Sequence, residues 1–337
     1  MSVAVVIPCR NEAAHIGPLL DALAGQTMVP TDVVIVDDRS TDATVERITQ
    51  WQSTHTTPAV KMVTGRGSGP GPAMNDGIRA TAADLIIRFD AHSIPAPDYV
   101  ARSVEALDSS GAGVVGGVWV VAPGADSTVA RAIAQVVSHP LGSGGALYRH
   151  AGATGPERLP VETVPFGTFR RSLWDTLGGF DEDLAANQDF DFNYRARKSG
   201  VDVVLDRRIS ATYFARPTLA ALRRQYFRYG FWKQQMLRKD PRAVHWRQVP
   251  PTLVLPWVIM TLAWVLVDPG WLSGVGAAMY PAVIAAGAVH VSRRGANVFA
   301  AFAALATVHL AWSAGFWKGA SAGAAKAIGA AKATPYV

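Results

Sequence analysis

The chain has 337 residues, of which 49% are hydrophobic and 17% charged, and it carries a net charge of +6. This length suits one large domain or two modest ones. The positive charge gathers just before an apolar C-terminal region, which fits an anionic membrane surface better than nucleic acid. The single cysteine, Cys9, excludes an intramolecular disulfide, and the N-terminus lacks a basic segment and a cleavage site, so we expect no signal peptide and a cytoplasmic globular part.

Short apolar runs alternate with helical patterns over the first third of the chain. Residues 3–7, 33–36 and 85–89 are runs rich in β-branched residues, as in strands buried on both faces of a parallel sheet. Apolar spacing predicts a helix over residues 13–25, and residues 40–42 offer an N-cap for a second helix. We therefore expect an α/β fold with a doubly wound, mostly parallel sheet, in which ligands bind at the carboxyl ends of the strands.

The rest of the chain changes character twice. Residues 111–215 mix glycine-rich strands with a helix predicted over residues 189–199, and residues 218–240 form a basic, aromatic, helix-like stretch. Three apolar segments follow, and each approaches the roughly 20 residues that a helix needs to cross a bilayer. These segments lie at residues 249–267, 271–291 and 296–317.

These patterns predict a globular domain followed by a membrane anchor. The domain is expected over residues 1–245, in three parts at 1–110, 111–217 and 218–245, of which the last forms basic interfacial helices. The anchor, of two to three helices, is expected over 246–320, before an Ala/Lys tail at 321–337.

The membrane topology is left open by the charges. Arg293 and Arg294 separate the last two apolar segments and fall on the cytoplasmic side, as the positive-inside rule expects. Three crossings would place Lys318, Lys326 and Lys332 outside, so a re-entrant or interfacial third segment stays an alternative.

Acidic residues stand at the ends of two predicted strands. Asp37 and Asp38 are adjacent carboxylates that repel unless a cation or hydrogen-bond donor meets them, and a ribose, a uracil edge or a divalent metal would serve; the alternative is a helix cap. Asp90 and His92 flank one residue, so an extended backbone would point both side chains the same way. This pair suits a divalent ion, and the alternative is a capping Asp beside a surface His.

Loop and helix-start residues supply further candidates. Residues 8–12 lack the Gly-rich dinucleotide fingerprint, which disfavours a dehydrogenase, and residues 65–72 form a Gly/Pro loop that suits either a diphosphate or a plain turn. Asp189 begins a predicted helix, where the helix dipole favours an ionised carboxylate that can accept a proton; it could equally be an N-cap, and Asp191 is the second candidate. Aromatic, Gln and Arg residues at 225–229 suit sugar stacking, phosphate pairing or an interfacial helix.

The order of these motifs is typical of one family. They are Pro-x-x-Asn-Glu at 8–12, Asp-Asp at 37–38, an aspartate after the third strand, Gly-Gly-Phe-Asp-Glu at 178–182, Asn-Gln-Asp at 187–189 and Gln-x-x-Arg-Tyr at 225–229. Together they resemble the family-2 inverting glycosyltransferases of the GT-A fold. Arg-Phe-Asp-Ala-His at 88–92 and Tyr-Phe-Arg-Tyr-Gly at 226–230 resemble the succinoglycan-type (ExoA-like) branch. The resemblance covers residues 1–245, and the remaining segments match only as a membrane anchor. It implies a catalytic domain with a nucleotide-binding half at 1–110 and an acceptor half at 111–217.

The resemblance implies a role for each matching residue. Asp189 matches the catalytic base, and Asp90 with His92 stands in for the Asp-x-Asp metal motif, holding Mn²⁺ or Mg²⁺. Implied nucleotide-sugar contacts, with Asp38 at the base edge, are Pro8, Arg10, Asn11, Glu12, Asp38, Asn75 and Asp90. Implied acceptor or diphosphate contacts are Gln188, Gln225, Arg228 and Tyr229.

Three departures from the family pattern have physical consequences. His92 replaces the second Asp, which lowers the negative charge at the metal and favours Mn²⁺ over Mg²⁺. Tyr229 replaces Trp, which weakens any case for processive polymer synthesis. Gln188 replaces Glu and keeps Asp189 free of a like-charged neighbour.

The resemblance therefore implies an inverting, metal-dependent hexosyltransferase. It would move sugar from a nucleotide-diphosphate donor, expected to be a UDP-sugar, to a hydroxyl of a lipid-linked saccharide in exopolysaccharide or cell-envelope synthesis. The enzyme would be a multi-pass inner-membrane protein with a cytoplasmic catalytic domain and no nucleic-acid partner. The alternatives are a polyprenyl-phosphate sugar synthase, whose acceptor needs no base, and a non-catalytic membrane-tethered binding or assembly protein.

Overall fold

A computed structural model describes residues 1–150, 155–243 and 248–322 of the chain. It divides into two compact units, each built from separated stretches of sequence. The first contains residues 1–120 and 150–213, and the second contains residues 121–149 and the described residues from 214 onward. The segment 121–149 thus leaves the first unit in mid-chain and joins the C-terminal helices.

The first unit is built on a mixed sheet that confirms the predicted fold class. The strands are β1 (Val3–Cys9), β2 (Asp32–Asp37), β3 (Ala59–Thr64), β4 (Leu85–Arg88), β5 (Ser93–Pro95), β6 (Val114–Pro123), β7 (Arg158–Pro160), β8 (Thr168–Arg170) and β9 (Val203–Ala215). The strand order is β3-β2-β1-β4-β8-β6-β9-β5, and β7 pairs with β9. The neighbours from β3 to β4 are parallel, whereas β8 is antiparallel to both β4 and β6.

Helices cover the strands because their apolar faces match the buried sheet. The first predicted helix is confirmed as α1, and it buries the four apolar side chains whose spacing predicted it. It begins three residues later than expected, since the Glu12 carbonyl first accepts a turn hydrogen bond from the His15 N–H. The helices of this unit are α1 (Ile16–Ala24), α2 (Thr44–Thr54), α3 (Pro70–Arg79), α4 (Tyr99–Ser110), α7 (Arg171–Leu177) and α8 (Gln188–Lys198).

The second unit is helical. The basic aromatic helix and the three apolar helices expected from the sequence are all present, and the last three are long and apolar enough to cross a membrane. A further apolar helix at residues 128–137 has no counterpart among the predicted elements. The helices are α5 (Thr128–Val137), α6 (Pro140–Ser143), α9 (Leu219–Lys239), α10 (Pro250–Val267), α11 (Trp271–Ser292) and α12 (Val298–Ser321), with short 3₁₀ turns at Leu147–Arg149 and Pro241–Ala243.

The contact of α3 with the sheet requires a glycine and gives a test of the fold. A Cβ on Gly77 would lie 2.5 Å from Val6 Cγ1 and 2.8 Å from Val36 Cγ2. We expect Gly77→Ala to destabilise the protein by about 1–3 kcal/mol, because overpacking forces side chains or backbone to move. Thermal unfolding in detergent should show a lower midpoint.

The matched control is Gly17→Ala, since nothing lies within 4 Å of the Cβ position of Gly17 in α1. This change should be neutral or stabilising by up to about 1 kcal/mol, because alanine is the better helix former. Equal midpoints for both variants would contradict the close approach of α3 to β1 and β2.

Candidate active site

The site forms where parallel strands end side by side. In the register of the sheet, Cys9 at the end of β1 is paired with Asp37 at the end of β2, and Val6 is paired with Arg88 at the end of β4. The loops that follow these strands therefore emerge at one edge, as the rule for ligand sites in parallel sheets expects.

A buried arginine connects two carboxylates at this edge. Arg88 Nη2 donates to Asp90 Oδ1 over 2.7 Å, and Arg88 Nη1 lies 3.9 Å from Asp189 Oδ2. The Arg88 side chain is only 7% exposed, and its guanidinium lies 5.6 Å from the centre of the Phe166 ring. A buried guanidinium needs such partners, because an unpaired charge in this position would be costly. Arg88 thus brings together the two carboxylates expected to bind metal and to act as base.

Arg88 was missed as a functional residue, although it stands within a quoted motif. The sequence signal for Arg88 was a basic residue within an otherwise apolar run. The run forms a buried four-residue strand, and Asp90 follows Arg88 by two positions. The expected extended backbone at Asp90 and His92 is wrong: the Ser93 N–H donates to the Asp90 carbonyl and closes a turn.

Glu12, which follows the end of β1, holds the ring of His92 by a hydrogen bond. Its carboxylate accepts from His92 Nδ1 over 3.0 Å at one oxygen and from His15 Nδ1 over 2.8 Å at the other. Burial opposes the ionisation of Glu12, but the hydrogen bonds from the two imidazoles outweigh it and lower the pKa of Glu12 to about 2. Because an ionised carboxylate can only accept hydrogen bonds, His92 carries the proton of this bond on Nδ1, and its Nε2 is the nitrogen not bonded to Glu12.

This donor set fits a divalent cation. An imidazole whose other nitrogen donates to a carboxylate is the usual arrangement of a metal-binding His. His92 would offer Nε2 and Asp90 would offer Oδ2, since its Oδ1 is bonded to Arg88. Within residues 1–150, 155–243 and 248–322 there is no group of three or more His, Cys, Asp or Glu side chains placed to hold a metal ion. Ligand oxygens would therefore have to complete the coordination of an ion at this pair.

Asp38 is engaged with the Gly/Pro loop. Its buried carboxylate accepts from the Gly67 N–H over 2.6 Å and from the Gly69 N–H over 2.9 Å. The fit is tight, since a Cβ on Gly65 would lie 2.7 Å from Asp38 Oδ1. The structure therefore uses this carboxylate to shape the loop, and the neighbouring Asp37 is also buried, with its Oδ1 3.3 Å from the Ser40 N–H.

The other expected nucleotide contacts lie around the end of β1. Pro8 is buried inside β1, whereas Arg10 is half-buried at the beginning of the following turn. Asn11 is exposed, has a φ of 57°, and accepts at Oδ1 from the Thr41 N–H over 2.8 Å. This bond ties the loop after β1 to the loop after β2.

Asn75 was expected to contact the nucleotide sugar, but its side chain is bonded within the protein. It is only 2% exposed, and its amide nitrogen donates to the Phe180 carbonyl and to Glu182. Its amide oxygen accepts from Trp174 Nε1 and from the Phe180 N–H. An amide side chain has two donor hydrogens and two acceptor positions, so all four are used within the protein. Asn75 therefore links α3 to residues 174–182 and has no polar atom left for a ligand.

The start of α8 distinguishes the two candidate bases. Asp191 accepts from Arg195 Nε over 2.7 Å, and the same guanidinium donates to the carbonyls of Leu177 and Gly179. Asp189 keeps 34% of its side chain exposed, while the preceding Gln188 is buried. The geometry favours Asp189 over Asp191 as the carboxylate that can meet a substrate.

The remaining expected contacts lie in the second unit, on α9. Gln225 Nε2 lies 3.2 Å from the Tyr229 hydroxyl, one helical turn away. Between them, the Tyr226 hydroxyl donates to the Gly142 carbonyl over 2.9 Å, so α9 is fixed to α6. Arg228 projects from the same helix.

A mixed sheet with acidic strand ends, a Gly loop and a half-buried carboxylate at the start of a helix is typical of glycosyltransferases of the GT-A fold. The chain belongs to glycosyl transferase family 2, whose model matches residues 4–177.

Two curated relatives and one solved structure are similar to this chain. The chain is 32% identical to succinoglycan biosynthesis protein ExoA of Rhizobium meliloti (strain 1021), over 93% of each chain. It is 27% identical to a dolichyl N-acetyl-alpha-D-glucosaminyl phosphate 3-beta-D-2,3-diacetamido-2,3-dideoxy-beta-D-glucuronosyltransferase of Methanococcus voltae, over 72% of this chain and 76% of the relative. The fold resembles mannosyltransferase PcManGT of Pyrobaculum calidifontis, solved with GDP-Man and Mn²⁺, with a TM-score of 0.63, 21% identity and coverage of 91% and 85%.

The contact of Arg88 with both carboxylates predicts a severe effect of its loss. We expect Arg88→Met to lower kcat by about 10²-fold, because small misplacements of reacting groups cost this much. Arg88→Lys keeps the charge but cannot reach both carboxylates with a planar fork, so partial activity is expected. Steady-state transferase assays on purified membranes would measure both.

The control is Arg102→Met on α4, since Arg102 is 39% exposed and pairs only with the surface residues Asp98 and Glu105 in the described contacts. Its kcat should stay near that of the wild type. A folded Arg88→Met variant with unchanged kcat would refute the positioning role.

Proposed function

We propose that the protein is an inverting hexosyltransferase that uses Asp189 as general base. The observation that carries the proposal is the Arg88 bridge, which holds Asp189 beside the Asp90 and His92 end of the site. The exposed Asp189 carboxylate would accept the proton of an acceptor hydroxyl as that oxygen attacks the anomeric carbon. One direct displacement forms the new glycosidic bond, breaks the bond to the diphosphate and inverts the anomeric centre.

Asp90 and His92 are the residues proposed to hold the divalent cation. A metal ion at such a site stabilises negative charge on a departing diphosphate. Glu12 would hold the His92 ring with Nε2 directed away from the carboxylate, and Arg88 would restrict Asp90 to one orientation. The imidazole ligand favours Mn²⁺, and the PcManGT complex contains this ion.

The donor is proposed to be a nucleoside-diphosphate sugar, with UDP as the first choice from the motif resemblance. Asp38 is proposed to act on the nucleotide through the Gly67 and Gly69 backbone that it fixes, rather than through its own carboxylate. Asn75 is likewise proposed as a positioning residue. Pro8, Arg10, Asn11 and Glu12 would form the neighbouring wall.

The acceptor is proposed to be a lipid-linked saccharide at the inner membrane, with the catalytic unit in the cytoplasm. Three apolar helices support a membrane location, and the names of two relatives refer to succinoglycan synthesis and to a dolichyl-linked acceptor. Gln188, Gln225, Arg228 and Tyr229 are the residues proposed to contact acceptor or diphosphate.

A polyprenyl-phosphate sugar synthase is the second candidate. Over 31% of its length, this chain is 30% identical to an undecaprenyl-phosphate 4-deoxy-4-formamido-L-arabinose transferase of Pectobacterium carotovorum. A phosphate acceptor is already an anion and needs no base, so the exposed Asp189 favours the hydroxyl acceptor.

Substitution of Asp189 tests both candidates and the non-catalytic alternative. We expect Asp189→Asn to reduce transfer by about 10²–10⁴-fold, since this is the usual contribution of a general base. Asp191→Asn should retain most activity, because Asp191 is paired with Arg195. The assay uses membranes, a panel of UDP- and GDP-sugars and lipid extract, with and without Mn²⁺, and reads the released nucleoside diphosphate.

Each outcome has a distinct meaning. Retained transfer by Asp189→Asn would favour the phosphate-acceptor synthase, and loss in Asp191→Asn alone would exchange the two roles. Release of no nucleoside diphosphate by the wild type from any donor would support a binding or assembly protein.

A further inference from the structure

The three apolar helices differ in what surrounds them. In the most apolar stretch of each, 11% of α10 and 22% of α11 is buried, against 39% of α12. Leu266 and Val267 at the end of α10 are each 85% exposed, as expected for side chains that face lipid. Since composition alone makes α12 as apolar as its neighbours, its packing decides where it lies.

One side of α12 is fastened to α9 by direct backbone contact. A Cβ on Gly230 of α9 would lie 2.1 Å from the Trp312 carbonyl oxygen, and a Cβ on Gly315 of α12 would lie 2.0 Å from the Phe227 carbonyl oxygen. Further along, Gln235 Nε2 donates to the Gly319 carbonyl over 3.0 Å. From the contact of Gly230 with Trp312 to that of Gln235 with Gly319 the numbers rise along both helices, so the two helices run in the same direction.

The partner helix α9 is too charged to lie in hydrocarbon. Each Lys or Arg at the centre of a membrane helix costs about 2.5–3.5 kcal/mol on insertion scales. The basic residues of this 21-residue helix are Arg223, Arg224, Arg228, Lys233, Arg238 and Lys239. The half of α12 that lies along α9 is therefore also outside the hydrocarbon core, and the residues from 298 to 311 alone are too few for a crossing of roughly 20 residues.

The other contacts of α12 lie near the open end of the α10–α11 hairpin. Ser313 Oγ accepts from the Leu255 N–H and donates to the Thr252 carbonyl, and Trp317 Nε1 donates to the same carbonyl over 2.8 Å. Leu305 packs on Gly287, one to two turns from the end of α11. Thr252 and Gly287 are both far along their helices from the turn at residues 268–270.

The middle of α12 and the segment before it contact elements that are too short to cross a membrane. His309 Nε2, in the middle of α12, donates to the Leu141 carbonyl of α6 over 2.8 Å. Just before α12, Gln135 of α5 donates to the Arg294 carbonyl over 2.8 Å, and α12 itself packs on α5. These contacts, together with those to α9, hold α12 next to α5, α6 and α9.

We infer that only α10 and α11 cross the membrane and that α12 lies along the membrane surface, between α9 and the open end of the hairpin. An even number of crossings returns the residues after α12 to the side on which α9 lies. Lys318 then shares a side with Arg293 and Arg294, as the positive-inside rule favours. This inference concerns topology and does not depend on the proposed transferase activity.

Site-directed cysteine labelling of the full-length chain tests this topology. Single cysteines are introduced as Asp268→Cys, Arg293→Cys and Val337→Cys in a Cys9→Ala background, and cells are treated with a membrane-impermeant maleimide. We expect residue 268 to react in intact cells, and residues 293 and 337 to react only after permeabilisation. Labelling of residues 293 and 337 on opposite sides of the membrane would establish a third crossing, and labelling of residues 268 and 293 on the same side would exclude the hairpin; either result overturns the inference.

The contact between α9 and α12 is tested separately by its glycine. Gly315→Leu should lower the unfolding midpoint in detergent by several degrees, because its side chain would meet the Phe227 carbonyl. Gly274→Leu on α11 is the matched control, since nothing lies within 4 Å of its Cβ position. Equal midpoints for the two variants would show that α12 is not packed on α9.

Discussion

The candidate site depends on one buried cation. Arg88 comes from a strand in the centre of the sheet, where a guanidinium requires compensation, and the structure supplies Asp90, Asp189 and the face of Phe166. This requirement draws the start of α8 toward the end of β4, although the two are far apart in sequence. Two carboxylates with different proposed roles are thereby fixed by a single group, so their separation is set before any substrate binds.

The sheet and the strand-end residues were predictable because their signals are local. A run such as Val33–Val34–Ile35–Val36 has no polar side, so it fits a strand covered on both faces, and the residues after it must emerge at the ligand edge. The hydrogen-bond partner of a polar side chain is not a local signal of this kind. The sequence around Asp38 does not indicate that its carboxylate accepts from the N–H groups of Gly67 and Gly69. The four hydrogen-bond partners of Asn75 lie in α7 and in the turn that follows it.

The C-terminal helices show the same limit at a larger scale. Hydropathy measures how strongly the side chains of a helix favour transfer out of water. A lipid bilayer and a protein interior both provide that transfer. The composition of α12 therefore predicts burial without saying in which environment. Gly315 and Gly319 were the residues that distinguished the two, but a close approach of backbones is visible only once α9 is seen beside them.

The charges of the site give an independent reason to expect a cation there. Glu12, Asp90 and Asp189 offer three carboxylates against the one guanidinium of Arg88, and Glu12 stays ionised because its pKa is about 2. The carboxylates at this edge therefore outnumber the guanidinium by three to one. A diphosphate entering this edge would be repelled, since like charges a few ångströms apart in a partly buried site cost several kcal/mol, on the order of 4 at 4 Å. A divalent ion held by Asp90 and His92 would reduce that repulsion, and Glu12 would contribute to its binding by fixing the His92 ring.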